Sequence, residues 1–120
     1  MVCDDDQDIL DLVTIVLEGS FQVAAEIDST KLMQKAATIM PDFILLDMWM
    51  PHLRGDQLTV ELKKQPTTSD IPVVIFSASK DGREQALSAG ADDFLAKPFD
   101  IDELLSLAKH YTKPTAERVM

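Results

Sequence analysis

Apolar residues follow two alternating rhythms along the chain. Between residues 7 and 18, Ile9, Leu10, Val13, Val16 and Leu17 recur at the spacing of a helix with one buried stripe, and Gly19 supplies a stop. Residues 21–27 (FQVAAEI) predict a strand. A helix follows over 30–40, with Leu32, Met33, Ala36, Ile39 and Met40 inward and Pro41 ending it. Residues 43–46 (FILL) are a short all-apolar run, the pattern of a strand covered on both faces. A weaker helix over 55–64 closes before Pro66, and residues 71–76 (IPVVIF) are a second apolar run, rich in β-branched side chains. Residues 81–89 predict a helix stopped by Gly90, and residues 93–96 (DFLA) a fifth strand. Asp100 with Glu103 is a capping-box start for a last helix carrying Leu104, Leu107, Ala108 and Tyr111.

With MVC as the first strand, the order is strand then helix, five times over. That alternation predicts an α/β fold, a doubly wound parallel sheet of five strands with helices on both faces. At 120 residues the chain suffices for one domain with one core. The expected core is about 2–111, with 112–120 a frayed tail or the start of a linker.

Composition narrows the class. The net charge is −10, and residues 1–28 hold eight acidic groups and no Lys or Arg. So acidic a body argues against non-specific nucleic-acid binding by the domain itself. No apolar run approaches the roughly 20 residues that span a bilayer, and Asp stands where the basic start of a signal peptide belongs. The lone Cys3 has no partner for an internal disulfide, which suits a reducing compartment. The expectation is a cytoplasmic protein without membrane association. Cys3 itself reads as a small buried hydrophobe, and His52 as a surface loop residue without a role.

In doubly wound sheets, function gathers at the carboxyl ends of the strands. Here the first strand ends at Asp4 and Asp5, the third at Asp47, the fourth at Ser77, and the fifth just before Lys97. Carboxylates so placed repel: a pair at ~4 Å and an effective dielectric of ~20 costs about 4 kcal/mol. A magnesium ion and Lys97 together would balance three carboxylates, and magnesium favours oxygen ligands. A carboxylate can also carry a phosphoryl group as an aspartyl phosphate. Asp6 and Asp8, by contrast, suit the amino end of the first helix.

The segments CDDDQDIL, FILLDMWMPHLRG, VIFSAS and AGADDFLAKPFD, in this order, resemble the receiver domain of bacterial response regulators, of the chemotaxis-regulator kind. The resemblance implies a flavodoxin-like sheet in strand order 2-1-3-4-5. It implies Asp47 as phosphoacceptor, charged by a sensor histidine kinase or phosphotransfer protein. Mg²⁺ would be held by Asp5 directly, by Asp4 largely through water, by Asp47 and by the backbone carbonyl of Trp49. Lys97, on a cis bond to Pro98, would pair with the phosphoryl oxygens, Ser77 would swing toward them, and Phe94 would be the switch aromatic. The change would be read out on the fourth helix, fifth strand and fifth helix, which could also form a phosphorylation-dependent homodimer. Trp49 and Ser79 occupy the positions that set the lifetime of the phosphoryl group, and the indole is expected to shield it from water, the alternative being that it turns outward as an anchor for a partner. Such a domain is a signalling switch rather than a turnover enzyme, though it can slowly dephosphorylate itself. A downstream protein and a fused output domain both stay open.

Two departures accompany the resemblance: Trp49, and a first strand with only three residues before the Asp pair, either clipped or natively short. Two rivals compete with it. A docking module of pseudo-receiver type would not need Asp4, Asp5, Asp47, Ser77 and Lys97 together. A haloacid-dehalogenase-type phosphatase wants a second acid two residues after its nucleophile, where this chain has Trp49.

Overall fold

The computed structural model describes residues 1–79 and 82–112. Its elements are β1 (Val2–Cys3), α1 (Gln7–Glu18), β2 (Ala25–Glu26), a 3-10 turn (Ser29–Lys31) leading into α2 (Leu32–Ile39), β3 (Ile44–Asp47), α3 (Gly55–Lys64), β4 (Val73–Ser77), α4 (Gly82–Ser88), β5 (Asp93–Ala96) and α5 (Ile101–Tyr111). The strands form one sheet in the order β2-β1-β3-β4-β5, and all four pairings are parallel. The expected doubly wound, flavodoxin-like architecture is the one observed.

The all-apolar strands are apolar because both of their faces are covered. Successive residues of a strand point to opposite faces. Ile44, Leu46, Ile75 and Phe94 accordingly enter one core, with Leu32 and Ala36 of α2 and Leu58 and Leu62 of α3. Leu45, Val74, Phe76 and Leu95 enter the other, with Leu10, Val13 and Leu17 of α1 and Leu104 and Ala108 of α5. Burying one such Leu, Ile or Phe side chain contributes about 1.5–3 kcal/mol. The layers therefore fix the sheet, and the sheet fixes which residues meet at its carboxyl edge.

Several boundaries move from the sequence expectation. β2 is two residues long, not the seven of 21–27, because β1 offers only Val2 and Cys3 as pairing partners. β4 starts at Val73 rather than Ile71. Ile39 and Met40 are not inward: they are 46% and 51% exposed, since α2 ends there and Met40 turns left-handed at φ 54° to redirect the chain. Gly19 closes α1 in a right-handed conformation, so its freedom is unused, whereas Gly90 at φ 104° uses its own. Glu103 accepts the Asp100 amide at 3.2 Å, as the capping box requires. α3 keeps its expected span, and Gln65 is extended ahead of Pro66. Of the expected fourth helix, Asp81 lies outside the described residues, as do 113–120 of the expected tail.

Candidate functional site

Parallel pairing brings the strand ends level. Cys3 pairs with Leu46, Asp47 with Phe76, and Ser77 with Ala96. Asp4, Asp47, Ser77 and Lys97 are therefore neighbours at one edge although they are far apart in the chain. Asp4 and Asp47 are buried at 1% and 6% exposure, while Asp5 is exposed. One carboxylate oxygen from each of the three lies within 4.8 Å of the others. The Lys97 Nζ donates to Asp4 Oδ2 at 3.3 Å and to Asp47 Oδ1 at 3.2 Å, and stands 4.3 Å from the Phe76 ring centroid. Its backbone amide donates to the Ser77 carbonyl at 2.8 Å, and its bond to Pro98 is cis.

The electrostatics are unfinished. Burial first, and then the neighbouring Asp4 charge, pushes the Asp47 carboxyl up to about 6, against the opposing pull of Lys97. Asp4 is raised too, chiefly by burial, with the Asp6 amide and Lys97 opposing. Among the described residues, three carboxylates face one ammonium, so two negative charges stand there without a counter-charge. A hard divalent cation with oxygen ligands matches that deficit, so the residues present fit Mg²⁺. Asp6 does something else: it accepts the Asp8 amide at 2.9 Å and caps α1.

The remaining candidates surround this cluster. Ser77 is fully buried, and its Oγ accepts the Ser79 amide at 3.1 Å. Phe94 is buried at 4% exposure with the Arg83 guanidinium 5.4 Å from its ring. Trp49 points outward at 48% exposure, because Met48 and Met50 on either side take the inward positions. The Arg54 guanidinium, forked onto Asp56, lies 5.8 Å over the indole. The indole also lines an open groove with Ser79, Glu84 and Gln85. Cys3 is buried, and desolvation pushes its thiol up to about 12. His52 is exposed in a loop.

Sequence reasoning missed Gly55. A Cβ there would sit 2.5 Å from the Asp47 carbonyl oxygen, and the Gly55 amide donates to the Met48 carbonyl at 2.9 Å. Only glycine lets α3 start this close to the acceptor strand. A glycine opening a helix just after FILLDMWMPHLR was the available signal. Ser29 was missed as well.

Residues 1–109 match the sequence model of the response regulator receiver domain, and the chain belongs to that family. It is 35% identical over 118 residues to the DNA-binding dual master transcriptional regulator RpaA of Synechocystis, covering 96% of this chain and 49% of RpaA. The chain thus spans about half the length of that relative. A Francisella response regulator receiver domain superposes with a TM-score of 0.85 at 33% identity, over 93% of each chain. The receiver domain of a Pseudomonas aeruginosa sensor histidine kinase, solved with a magnesium ion coordinated in its active-site cleft, gives 0.82 at 26% identity, over 94% of this chain and 96% of that one. This is a two-component signalling domain, from a family whose partners are histidine kinases. No helix among the described residues is long and apolar enough to cross a membrane.

Proposed function

We propose that this domain is switched by phosphorylation of Asp47, with the phosphoryl group drawn from the phosphohistidine of a sensor kinase or phosphotransfer protein. The observation that carries the reading is the cluster of Asp4, Asp5 and Asp47 with, among the described residues, one ammonium reaching two of them. An Asp47 oxygen attacks phosphorus, the bond to the donor nitrogen breaks, and that nitrogen leaves with its electron pair. Asp4, Asp5, Asp47 and the Trp49 carbonyl are the groups that would hold Mg²⁺, which when bound offsets charge on the transferring group. Lys97 holds Asp47 before transfer and the phosphoryl oxygens after it. The Ser77 hydroxyl, now accepting the Ser79 amide, turns to the phosphoryl group. Phe94 then repacks, and the surface of α4, β5 and α5 presents the result to a partner, a fused output domain or a second copy of the chain.

Trp49 and Ser79, which line one open groove, set how readily water reaches the phosphoryl group. Trp49→Asn is expected to hasten its loss about tenfold, equivalent to about 1.4 kcal/mol of barrier. The decisive test of the whole reading is incorporation of phosphate from acetyl phosphate with Mg²⁺, and binding of beryllofluoride, in the wild type and in Asp47→Asn. The wild type should accept both and the variant neither. Failure of the wild type with every donor would make the domain a docking module, and full incorporation by Asp47→Asn would move the acceptor elsewhere.

A further inference from the structure

The loop from Met48 to Arg54 carries the Trp49 carbonyl past the acceptor, and it has no regular structure of its own. Its shape is imposed at a few points. The Met48 carbonyl accepts the Gly55 amide at 2.9 Å, and Met50 is buried with its sulfur 3.7 Å from the Cys3 thiol. His52 is left-handed at φ 73°, a conformation unfavourable for a non-glycine residue, so it must be held from outside. The remaining anchor comes from across the sheet edge. Ser29, at 3% exposure in the turn after β2, donates its hydroxyl to the Pro51 carbonyl at 2.8 Å. That same carbonyl accepts the Leu53 amide at 2.9 Å, closing the tight turn around His52.

The Ser29 turn is itself stiff. Asp28 accepts both the amide of Thr30, at 2.9 Å, and its hydroxyl, at 2.6 Å. Glu26 accepts the Asp28 amide at 2.9 Å and is paired with Lys35 at 3.1 Å. A buried hydroxyl on a rigid turn thus fixes the carbonyl two residues beyond that of Trp49.

We infer that Ser29 is a positioning residue: its hydroxyl bond to Pro51 sets the backbone of the acceptor loop, and with it the aim of the Trp49 carbonyl toward a divalent cation. This rests on the metal reading given above. Groups that orient metal ligands from outside the coordination sphere typically contribute 10–100-fold in affinity, and Ser29 acts one step further out, so about fivefold is expected.

The test uses the whole chain, with Mg²⁺ as the probe. Trp49 is the sole tryptophan, so its emission follows the titration, with calorimetry as a second measure. Ser29→Ala and Ser29→Gly should each weaken Mg²⁺ binding about fivefold. In the metal-free protein, both should also speed hydrogen exchange of the Leu53 amide. Thr68→Val removes another buried hydroxyl, one that donates to the Leu62 carbonyl at 2.7 Å far from the site, and should leave both readings at the wild-type value. Saturable wild-type binding with unchanged affinity and unchanged Leu53 exchange in both Ser29 variants would overturn the inference and leave the metal reading intact. Absence of saturable binding in the wild type would instead overturn the metal reading. An equal loss of affinity in Thr68→Val would show a general effect of stability and overturn the positioning role.

Discussion

The two edges of the sheet both gather charge, and they settle it differently. At the amino edge, Lys63 of α3 pairs with Asp92 at 3.0 Å and donates to the Ile71 carbonyl at 2.9 Å, while Asp92 also accepts the Val73 amide at 2.8 Å. One cation meets one anion, and backbone groups take up the remaining valences. At the carboxyl edge, Lys97 divides itself between Asp4 and Asp47, and among the described residues no second cation reaches Asp5 beside them. The amino edge is closed: its charges tie α3 to the starts of β4 and β5. The carboxyl edge is left open by two negative charges, and that imbalance is what a cation and a phosphoryl group could exploit.

The strongest way to break this comparison is to remove each lysine in turn. Lys97→Met leaves two buried carboxylates without their cation, and breaking a buried pair this way costs roughly 3 kcal/mol. In urea unfolding at pH 7.5 the loss should be of that size. It should shrink at pH 5, where Asp47 can take up a proton, and in millimolar Mg²⁺. Lys63→Met should cost less, roughly 1–2 kcal/mol for hydrogen bonds lost at a partly exposed site, with no Mg²⁺ rescue. Equal losses at both pH values, untouched by Mg²⁺, would show that the carboxyl edge is as closed as the other.

Next in size is the pH dependence of the metal-free wild type. Asp47 holds its proton to about 6 in the folded chain against an ordinary 3.8, so the folded state binds that proton more tightly than the unfolded one. Stability then falls as pH rises between those two values, and the full cost stands above pH 6. The interval corresponds to about 3 kcal/mol as an upper figure. Asp47→Asn should remove this slope and leave the metal-free protein about 2 kcal/mol more stable at pH 7.5. A variant less stable than the wild type there would mean that Lys97 already compensates Asp47 in full.

Much of the carboxyl edge was legible in the chain. Asp4, Asp47, Ser77 and Lys97 each interrupt or follow an apolar run, and a polar residue ending a doubly covered strand has nowhere to go but the edge. Strand order came from the resemblance, since alternation alone does not order strands. Contacts made by loops were not legible. Ser29 binds Pro51 because β2 and β3 flank β1 and their following turns meet over its end, and Gly55 lies against the Asp47 carbonyl because the loop between them folds back on itself; no periodicity encodes either contact. β2 was overread because a strand's length depends on its partner, and β1 has two residues to offer. Ile39 and Met40 continue the apolar stripe of α2 in sequence, but they are its last residue and its left-handed cap, and both stand exposed at the helix end.

The smallest expected effect sharpens the comparison most, because it asks whether the open edge takes the ion that its charge calls for. Mg²⁺ at ten times its dissociation constant should stabilise the wild type by about 1.4 kcal/mol, raising the melting temperature by roughly 4–8 °C for a domain near 100 residues. Asp5→Asn should lose most of that rise. Asp5 is exposed, so its replacement changes the ligand set while scarcely touching the core. Asp92→Asn, at the closed edge, should keep the rise in full. Protons compete with the metal for Asp47, and with half-protonation near 6 that carboxyl is about nine-tenths protonated at pH 5. Apparent affinity at pH 5 should therefore be about tenfold below that at pH 7.5. Melting curves at both pH values, with and without Mg²⁺, give the four numbers needed. A rise independent of pH and retained by Asp5→Asn would place the ion away from this cluster, and the contrast between the two edges would then lose its functional meaning.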